Sequence, residues 1–162
     1  TANVVFAGPV EAVKPLMTEA KIKTGETLVG GNLVELNSGE WAAHGTADVG
    51  GDIYVIDMDT IGQKSVTATL TVGQSHPAFV PEVGKSYNLV LAASQTITRG
   101  EALSSNGAGA VKSAATDGTS EALFVADEAV TTTGATARIH ARHNPTSVHA
   151  ADQPKEPIHV LL

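Results

Sequence analysis

The chain has 162 residues, of which 42% are hydrophobic and only 4% aromatic, so it suits one compact domain with a small aliphatic core. Ten basic against 17 acidic residues give a formal charge of −7, which argues against nucleic acid as a partner because phosphate recognition needs a basic surface. Cysteine is absent, which excludes disulfides and thiolate chemistry, and no apolar run approaches the roughly 18 residues expected of a membrane span, so we expect no membrane partner.

Residues 1–24 are predicted to form an extended N-terminal arm. Pro9 and Pro15 interrupt both helix and central-strand patterns and leave short apolar clusters between them. An extended arm can add a strand to the sheet edge of another protein while its side chains enter pockets. The candidate anchors are the apolar residues of this arm: Val4, Val5, Phe6, Val10, Val13 and Leu16.

Residues 25–143 are predicted to form a β-rich body, and the predicted fold class is all-β. Residues 65–72 alternate between hydroxyl and apolar side chains, and residues 136–142 repeat this period of two, as half-buried antiparallel strands do. Asn106-Gly107 and Asp117-Gly118 are typical of tight hairpin turns. Pattern alone does not give the number of sheets or the strand order.

Two short segments of the predicted body resemble each other. Residues 24–28 read Thr-Gly-Glu-Thr-Leu, and residues 99–103 read Arg-Gly-Glu-Ala-Leu. The shared Gly-Glu-x-Leu pattern suits an internal repeat, but four letters also recur by chance in a chain of this length. The sequence leaves both readings open.

Residues 144–162 are predicted to form a C-terminal tail. Its three prolines disfavour both a helix and a central strand. The tail ends in apolar side chains that need a covering surface, which makes them a second candidate contact with a partner. These residues are Ile158, Val160, Leu161 and Leu162.

The histidines do not form a metal-binding pattern. His140 and His143 are three residues apart, so on a regular strand their side chains point to opposite faces, and a shared metal would require a bulge. We interpret both as solvated histidines near a strand end.

An acidic cluster surrounds Gly50 and Gly51. Hard cations such as calcium prefer carboxylate oxygens, but the twelve-residue calcium-loop spacing is missing here. Exposed turn charges are therefore the preferred reading of these four residues: Asp48, Asp52, Asp57 and Asp59.

Catalytic patterns are also missing from the sequence. No Gly-x-Ser-x-Gly elbow occurs, and residues 107–109 lack the Gly-Lys-Ser/Thr that completes a phosphate-binding loop. We therefore expect no enzymatic activity, no cofactor and no required metal.

Several segments together resemble the head decoration, or cement, proteins of tailed bacteriophages, of the lambda type. The similarity spans roughly residues 20–143 and is carried by residues 23–36, 78–84, 98–107, 126–128 and 138–142. It implies a compact β-tulip or β-sandwich-like body, with extended arms, that assembles as a homotrimer or, as in some relatives, a dimer. It further implies a protein made in the host cytoplasm that binds the outer surface of the mature head and stabilises it by bridging subunits of the major capsid protein.

Two other function classes stay open. A tail or fibre module of the same virion would share the β-rich composition and would differ in its place on the particle. A carbohydrate-binding module would need exposed aromatic platforms, for which the candidates are Trp41, Tyr54 and Tyr87.

Overall fold

The computed structural model describes residues 16–60, 62, 64–116 and 118–147. These residues form strands without any helix, which confirms the all-β class. The strands are β1 (Met17–Ile22), β2 (Leu33–Asn37), β3 (Glu40–Ala43), β4 (Tyr54–Ile56), β5 (Ser75–Phe79), β6 (Ser86–Leu91), β7 (Thr96–Ile97), β8 (Ala102–Ser105), β9 (Val111–Ser113), β10 (Glu121–Ala126), β11 (Val130–Thr131) and β12 (Ala137–Ser147).

The strands close into two barrels. The first barrel has the order β1-β3-β2-β4-β5, and the second has the order β10-β12-β6-β9-β8. The short strands β7 and β11 pair with each other as a separate two-stranded sheet. The strand order of each barrel is closed, so each barrel strand has a neighbouring strand on both sides. Residues 17–20 of β1 pair with β5 alone, because only Lys21 and Ile22 pair with β3.

Both barrels have the same topology. When the strands of each barrel are numbered in chain order, the first strand is parallel to the third and antiparallel to the fifth, while the second and fourth pair with each other. Ile22 opposite Trp41 in the first barrel corresponds to Leu91 opposite Val111 in the second. This shared topology supports the internal-repeat reading of the sequence.

The Gly-Glu-x-Leu segments begin in equivalent connections. They start between the first and second strands of their barrels, in residues 23–32 and 92–101, which are connections of equal length. The amide of Glu26 donates to the carbonyl of Lys23, and the amide of Glu101 donates to the carbonyl of Thr98, both at 3.2 Å. The two segments therefore form the same kind of local turn at different positions: residues 24–28 lie near the end of β1, whereas residues 99–103 run into β8.

One hydrophobic core is shared by the two barrels. The Tyr87 ring of the second barrel lies 5.9 Å from the Phe79 ring of the first barrel and 6.5 Å from Phe124 of its own barrel. Leu33 and Val55 of the first barrel belong to the same buried cluster. The two barrels consequently form one structural unit.

A second, smaller core fills the first barrel. It surrounds Trp41, whose ring lies 5.0 Å from that of Tyr54 and whose indole N–H donates to the carbonyl of His76 at 2.8 Å. Its members Val34 and Ala78 alternate along their strands with Leu33 and Phe79 of the shared cluster, so the two cores lie on opposite faces of these strands.

The predicted strand at residues 136–142 is confirmed. Ile139 and Ala141 are buried, while Arg142 on the alternate face is exposed.

The predicted strand at residues 65–72 is wrong. The amide of Ala68 donates to the carbonyl of Ser65 at 2.9 Å, and the Ser65 and Thr67 hydroxyls are 3.0 Å apart, so local hydrogen bonds form a turn instead. Val66 and Leu70 are still buried, and Thr69 makes only an isolated bridge with Val29.

Both predicted boundaries of the body need correction. Residues 17–22, assigned to the arm, are strand β1, which pairs with β5 and β3. Residues 144–147, assigned to the tail, continue strand β12 past a register shift opposite Ala122 and Phe124. That irregularity accommodates Pro145, because a bulge releases the ladder from the regular hydrogen bonding that proline lacks.

Candidate functional site

A groove of about 390 Å³ lies where the two barrels meet. We call it the terminal groove. The first barrel contributes Gly50, Gly51, Asp52, Ile53, Tyr54, Val80 and Pro81, and the second contributes Glu121, Leu123, His143 and Pro145.

The described chain both begins and ends beside the terminal groove. The carbonyl of Leu16 accepts a hydrogen bond from the amide of Val80 at 2.8 Å, and Pro145 is itself a groove residue. Leu16 and Pro145, near the two ends of the described chain, therefore lie on one side of the body.

Exposed apolar side chains adjoin this groove. Val83 is 71% exposed and Leu16 is 58% exposed, and Val49, next to groove residue Gly50, is also exposed. Apolar side chains grouped around a concave surface are typical of an interaction site.

Hydrogen bonds between the barrels hold the floor of the groove. The amide of Gly50 donates to the Glu121 carboxylate at 2.7 Å. The Asp48 carboxylate accepts from the Ser120 hydroxyl at 2.5 Å and lies 2.9 Å from the Lys112 ammonium. These hydrogen bonds, first that of Ser120 and then that of Lys112, lower the pKa of Asp48, so its charge is present at neutral pH.

His143 forms one wall of the groove and is half-buried against Phe124, with ring centroids 5.2 Å apart. Burial lowers its pKa, and its Nδ1 has no hydrogen-bond partner among the described residues. His140 instead lies 3.1 Å from the Glu128 carboxylate. Two expectations are corrected: His143 is neither solvated nor at the end of β12.

A second cavity, of about 540 Å³, lies on the first barrel. It is bordered by the ion pair between Lys64 and Asp59, 3.6 Å apart, and by His76. His76 is almost fully buried, which lowers its pKa and keeps the imidazole neutral.

The four aspartates of the acidic cluster do not converge. Asp48 bonds to the second barrel, and Asp59 bonds to the Gly62 amide at 2.8 Å. Asp57 accepts from the adjacent Met58 amide, and burial raises its pKa. No group of three or more metal-ligating His, Asp or Glu side chains occurs in the part of the chain that the structure describes.

A buried His-Ser pair occurs at the junction of the barrels. His44 Nδ1 lies 2.8 Å from the Ser105 hydroxyl, and its Nε2 lies 2.8 Å from the carbonyl of Gly50. A nucleophile and base can share this spacing, but Ser105 is fully buried and its hydroxyl also accepts from the Gly107 amide. The arrangement links the barrels and leaves no room for a substrate.

Two of the three aromatic platforms of the carbohydrate-binding reading are unavailable. Trp41 and Tyr87 are fully buried, and only Tyr54 is partly exposed, in the terminal groove. Sugar stacking needs an accessible ring face, so this reading loses its main support.

Among the predicted contact residues, the structure describes Leu16 alone. Val4, Val5, Phe6, Val10 and Val13 of the arm, and Ile158, Val160, Leu161 and Leu162 of the tail, lie outside the described residues. Sequence reasoning missed the groove itself, including Ile53, Val80 and Leu123. The available signal was the apolar Phe-Val-Pro stretch at 79–81, which ends strand β5 next to an exposed Val83.

No family model and no curated protein matches this chain. The described residues contain no helix that is long and apolar enough to cross a membrane.

Proposed function

We propose that this protein is a capsid decoration protein that binds the outer surface of a bacteriophage head and stabilises it by bridging subunits of the major capsid protein. One observation carries the proposal: the described chain begins and ends beside the same apolar groove, on a body built from two closed barrels. The resemblance in residues 23–36, 78–84, 98–107, 126–128 and 138–142 supports the same role.

We expect main-chain pairing with a shell subunit to involve the terminal segments of the chain. A partner strand gains backbone hydrogen bonds only where unpaired N–H and C=O groups are available. Each barrel strand already has a neighbouring strand on both sides, so we assign strand exchange with a shell subunit to residues 1–15 and 148–162, which flank the described body. Their apolar residues, including Val4, Val5 and Phe6, would occupy pockets on the partner.

Attachment of both segments on one side favours bridging. Two weak contacts that originate close together reinforce each other through effective concentration, provided that they reach neighbouring subunits. The terminal groove between them supplies a third contact area, with exposed Leu16 and Val83 at its border. We expect homotrimers to add further valency.

Polar chemistry inside the body supports a structural role. The His44–Ser105 pair and the carboxylates of Asp48 and Glu121 are all engaged in holding the barrels together.

Sedimentation with capsid shells tests the proposal. Expanded shells assembled from the cognate major capsid protein are mixed with the full chain, with a variant that lacks residues 1–15, and with a variant that lacks residues 148–162. We expect the full chain to bind at saturating stoichiometry and to raise the temperature at which the shells disassemble, and we expect removal of residues 1–15 to abolish binding.

Two outcomes count against this assignment. Absence of binding by the full chain to both expanded and unexpanded shells would overturn the function. Full occupancy by the variant without residues 1–15 would overturn the role of the arm and transfer it to the tail.

A further inference from the structure

The first strands of the two barrels differ in how their outward faces are covered. In β6, both faces are buried, including the outward residues Asn88 and Val90. In β1, the outward residues Glu19 and Lys21 are exposed, although the inward Ile22 is buried. The same strand position is therefore covered in one barrel and open in the other.

The first barrel itself covers the outward face of β6. The carbonyl of Gly31 accepts from the amide of Val90 at 3.1 Å, and the carbonyl of Gly30 accepts from the Arg138 guanidinium. Arg138 also donates to the Asn88 side chain at 3.1 Å. The connection between the first and second strands of the first barrel, residues 23–32, thus packs on β6 and β12, the first and fifth strands of the second barrel.

Equivalent positions follow from the strand registers. Because Ile22 corresponds to Leu91, Glu19 corresponds to Asn88. Ser75 corresponds to Arg138, and the Ser75 hydroxyl donates to Glu19 at 2.7 Å just as Arg138 donates to Asn88. The open face of the first barrel is therefore the counterpart of the covered face of the second.

The covering element also has a counterpart. Leu33 opposite Val55 corresponds to Ala102 opposite Val125, so Gly30 corresponds to Arg99. Arg99 is exposed and makes no side-chain hydrogen bond or ion pair within the described residues. The equivalent connection of the second barrel, residues 92–101, covers no other barrel within the described part of the chain.

We propose that a second copy of the chain docks head to tail, with residues 99–102 of its second barrel on the open β1 face of the first barrel. The contact repeats the junction inside each chain and brings Arg99 of one copy to Glu19 of the other. Inside the chain, the covered strand supplies the arginine, which is Arg138. Between copies, the covering connection supplies the arginine, which is Arg99, and it meets the carboxylate of Glu19. Arg99 thus faces Glu19, whereas Lys21, the counterpart of Val90, faces Gly100, the counterpart of Gly31.

The turn after β2 extends the open face. Asn106 pairs with Ala47 at the junction inside the chain, whereas its counterpart Asn37 is exposed. Leu36, which precedes it, is 41% exposed and gives the surface an apolar element. Contacts between two different faces of identical chains are heterologous and produce rings or open filaments.

Charge reversal tests the pair without requiring any capsid. The association of the full chain is measured by sedimentation equilibrium for Glu19→Arg, for Arg99→Glu and for the double variant. We expect each single variant to weaken association at least about tenfold, because like charges then face each other, and the double variant to restore it. Thr133→Arg, which adds a positive charge at an exposed residue outside the two faces, is the control and should associate like the unmodified chain.

Cross-linking tests the direction of the contact, and the chain contains no cysteine to interfere. Because Trp41 corresponds to Val111, Thr116 corresponds to Thr46, which precedes the Ala47 that pairs with Asn106. Asn37→Cys protein is therefore mixed with Thr116→Cys protein, and a short bismaleimide is added. We expect dimers in this mixture in excess of those that either variant forms alone, and no such excess when Thr133→Cys replaces Thr116→Cys.

The proposal is overturned by a chain that stays monomeric at all concentrations, by a double variant that does not recover, or by cross-links that form equally well between two Asn37→Cys copies. Because no shell is present, these results are independent of the decoration assay. A chain that binds shells as a monomer would refute this contact and leave the proposed function intact.

Discussion

Asp48 in the first barrel accepts a hydrogen bond from the Ser120 hydroxyl of the second barrel at 2.5 Å, across the junction. The main chain is tied at the same place, since the Asp48 amide donates to Ser105 at 3.0 Å and its carbonyl accepts from Glu121 at 2.8 Å. Asp48 also has a positive φ of 63°, a conformation that Asp and Asn tolerate better than other side chains do. One residue thus combines a backbone and a charge contribution to the junction.

Substitution of Asp48 separates these two contributions. We expect Asp48→Asn to lower the free energy of unfolding by about 1 kcal/mol, because the charge-assisted bonds to Ser120 and Lys112 are lost from a partly exposed site. Asp48→Ala should lose about 1 kcal/mol more, because alanine fits the positive φ poorly. Urea denaturation measures both, with Asp52→Asn as the control that should change stability by less than about 0.5 kcal/mol. Equal values for the Asn and Ala variants would contradict the backbone contribution.

Gly31 is expected to be the most sensitive glycine of the junction. Its φ is 89°, and a Cβ added there would lie 2.3 Å from the Arg138 guanidinium and 2.4 Å from the carbonyl oxygen of Asn88. We expect Gly31→Ala to cost at least about 3 kcal/mol, since backbone strain and a clash with main chain act together. Gly39→Ala is the matched control: it has φ 79° but no atom within 4 Å of an added Cβ, so it should cost about 1 kcal/mol. Similar losses for both variants would show that the junction relaxes around the new side chain.

Two histidines whose pKa is lowered by burial, His76 and His143, should make the protein sensitive to mild acid. Burial lowers the pKa of His76 and of His143 below the value near 6.5 that each has in the unfolded chain. Between the unfolded and folded pKa values, the unfolded state therefore binds more protons, so their contribution is complete above about pH 6.5 and is lost as the pH falls through the folded pKa values.

Urea denaturation between pH 8 and pH 5 measures this effect. We expect stability to decline below about pH 6.5 in the unmodified chain, and to decline less steeply in the double variant His76→Gln, His143→Gln. A double variant with an undiminished slope would assign the acid sensitivity to other groups.

The sequence predicts the parts of this fold that local pattern determines. Strand β12 follows the alternation of Ile139 and Ala141, and the positive φ of Gly107 and Gly118 matches the two predicted turns. The segment at 65–72 alternates just as well, yet Ser65 forms local hydrogen bonds and the segment makes only one bridge. Alternation alone does not distinguish these two outcomes.

The candidate site depended on contacts between residues far apart in the chain. His44 and Ser105 are 61 positions apart, and Gly50 and Glu121 are 71 apart, so no local pattern joins them. Strand β1 was assigned to the arm for the same reason, because its partner Ser75–Phe79 lies more than fifty residues away. The Gly-Glu-x-Leu similarity reflects the same kind of local turn, but its two copies lie at different positions of their connections, so it did not predict the equivalence of the two barrels.

The corrected boundary of the arm gives two truncations with opposite expected results. Removal of residues 1–15 leaves β1 intact, so we expect cooperative unfolding with a free energy within about 1 kcal/mol of that of the full chain. Removal of residues 1–22 deletes β1, which opens the first barrel between β3 and β5 and removes the buried Ile22 from its core. We expect the shorter chain to lose cooperative unfolding and to aggregate through the exposed strand edges, as monitored by circular dichroism and light scattering. If the chain without residues 1–22 unfolds like the chain without residues 1–15, β1 does not contribute to the barrel, and the arm extends to residue 22 after all.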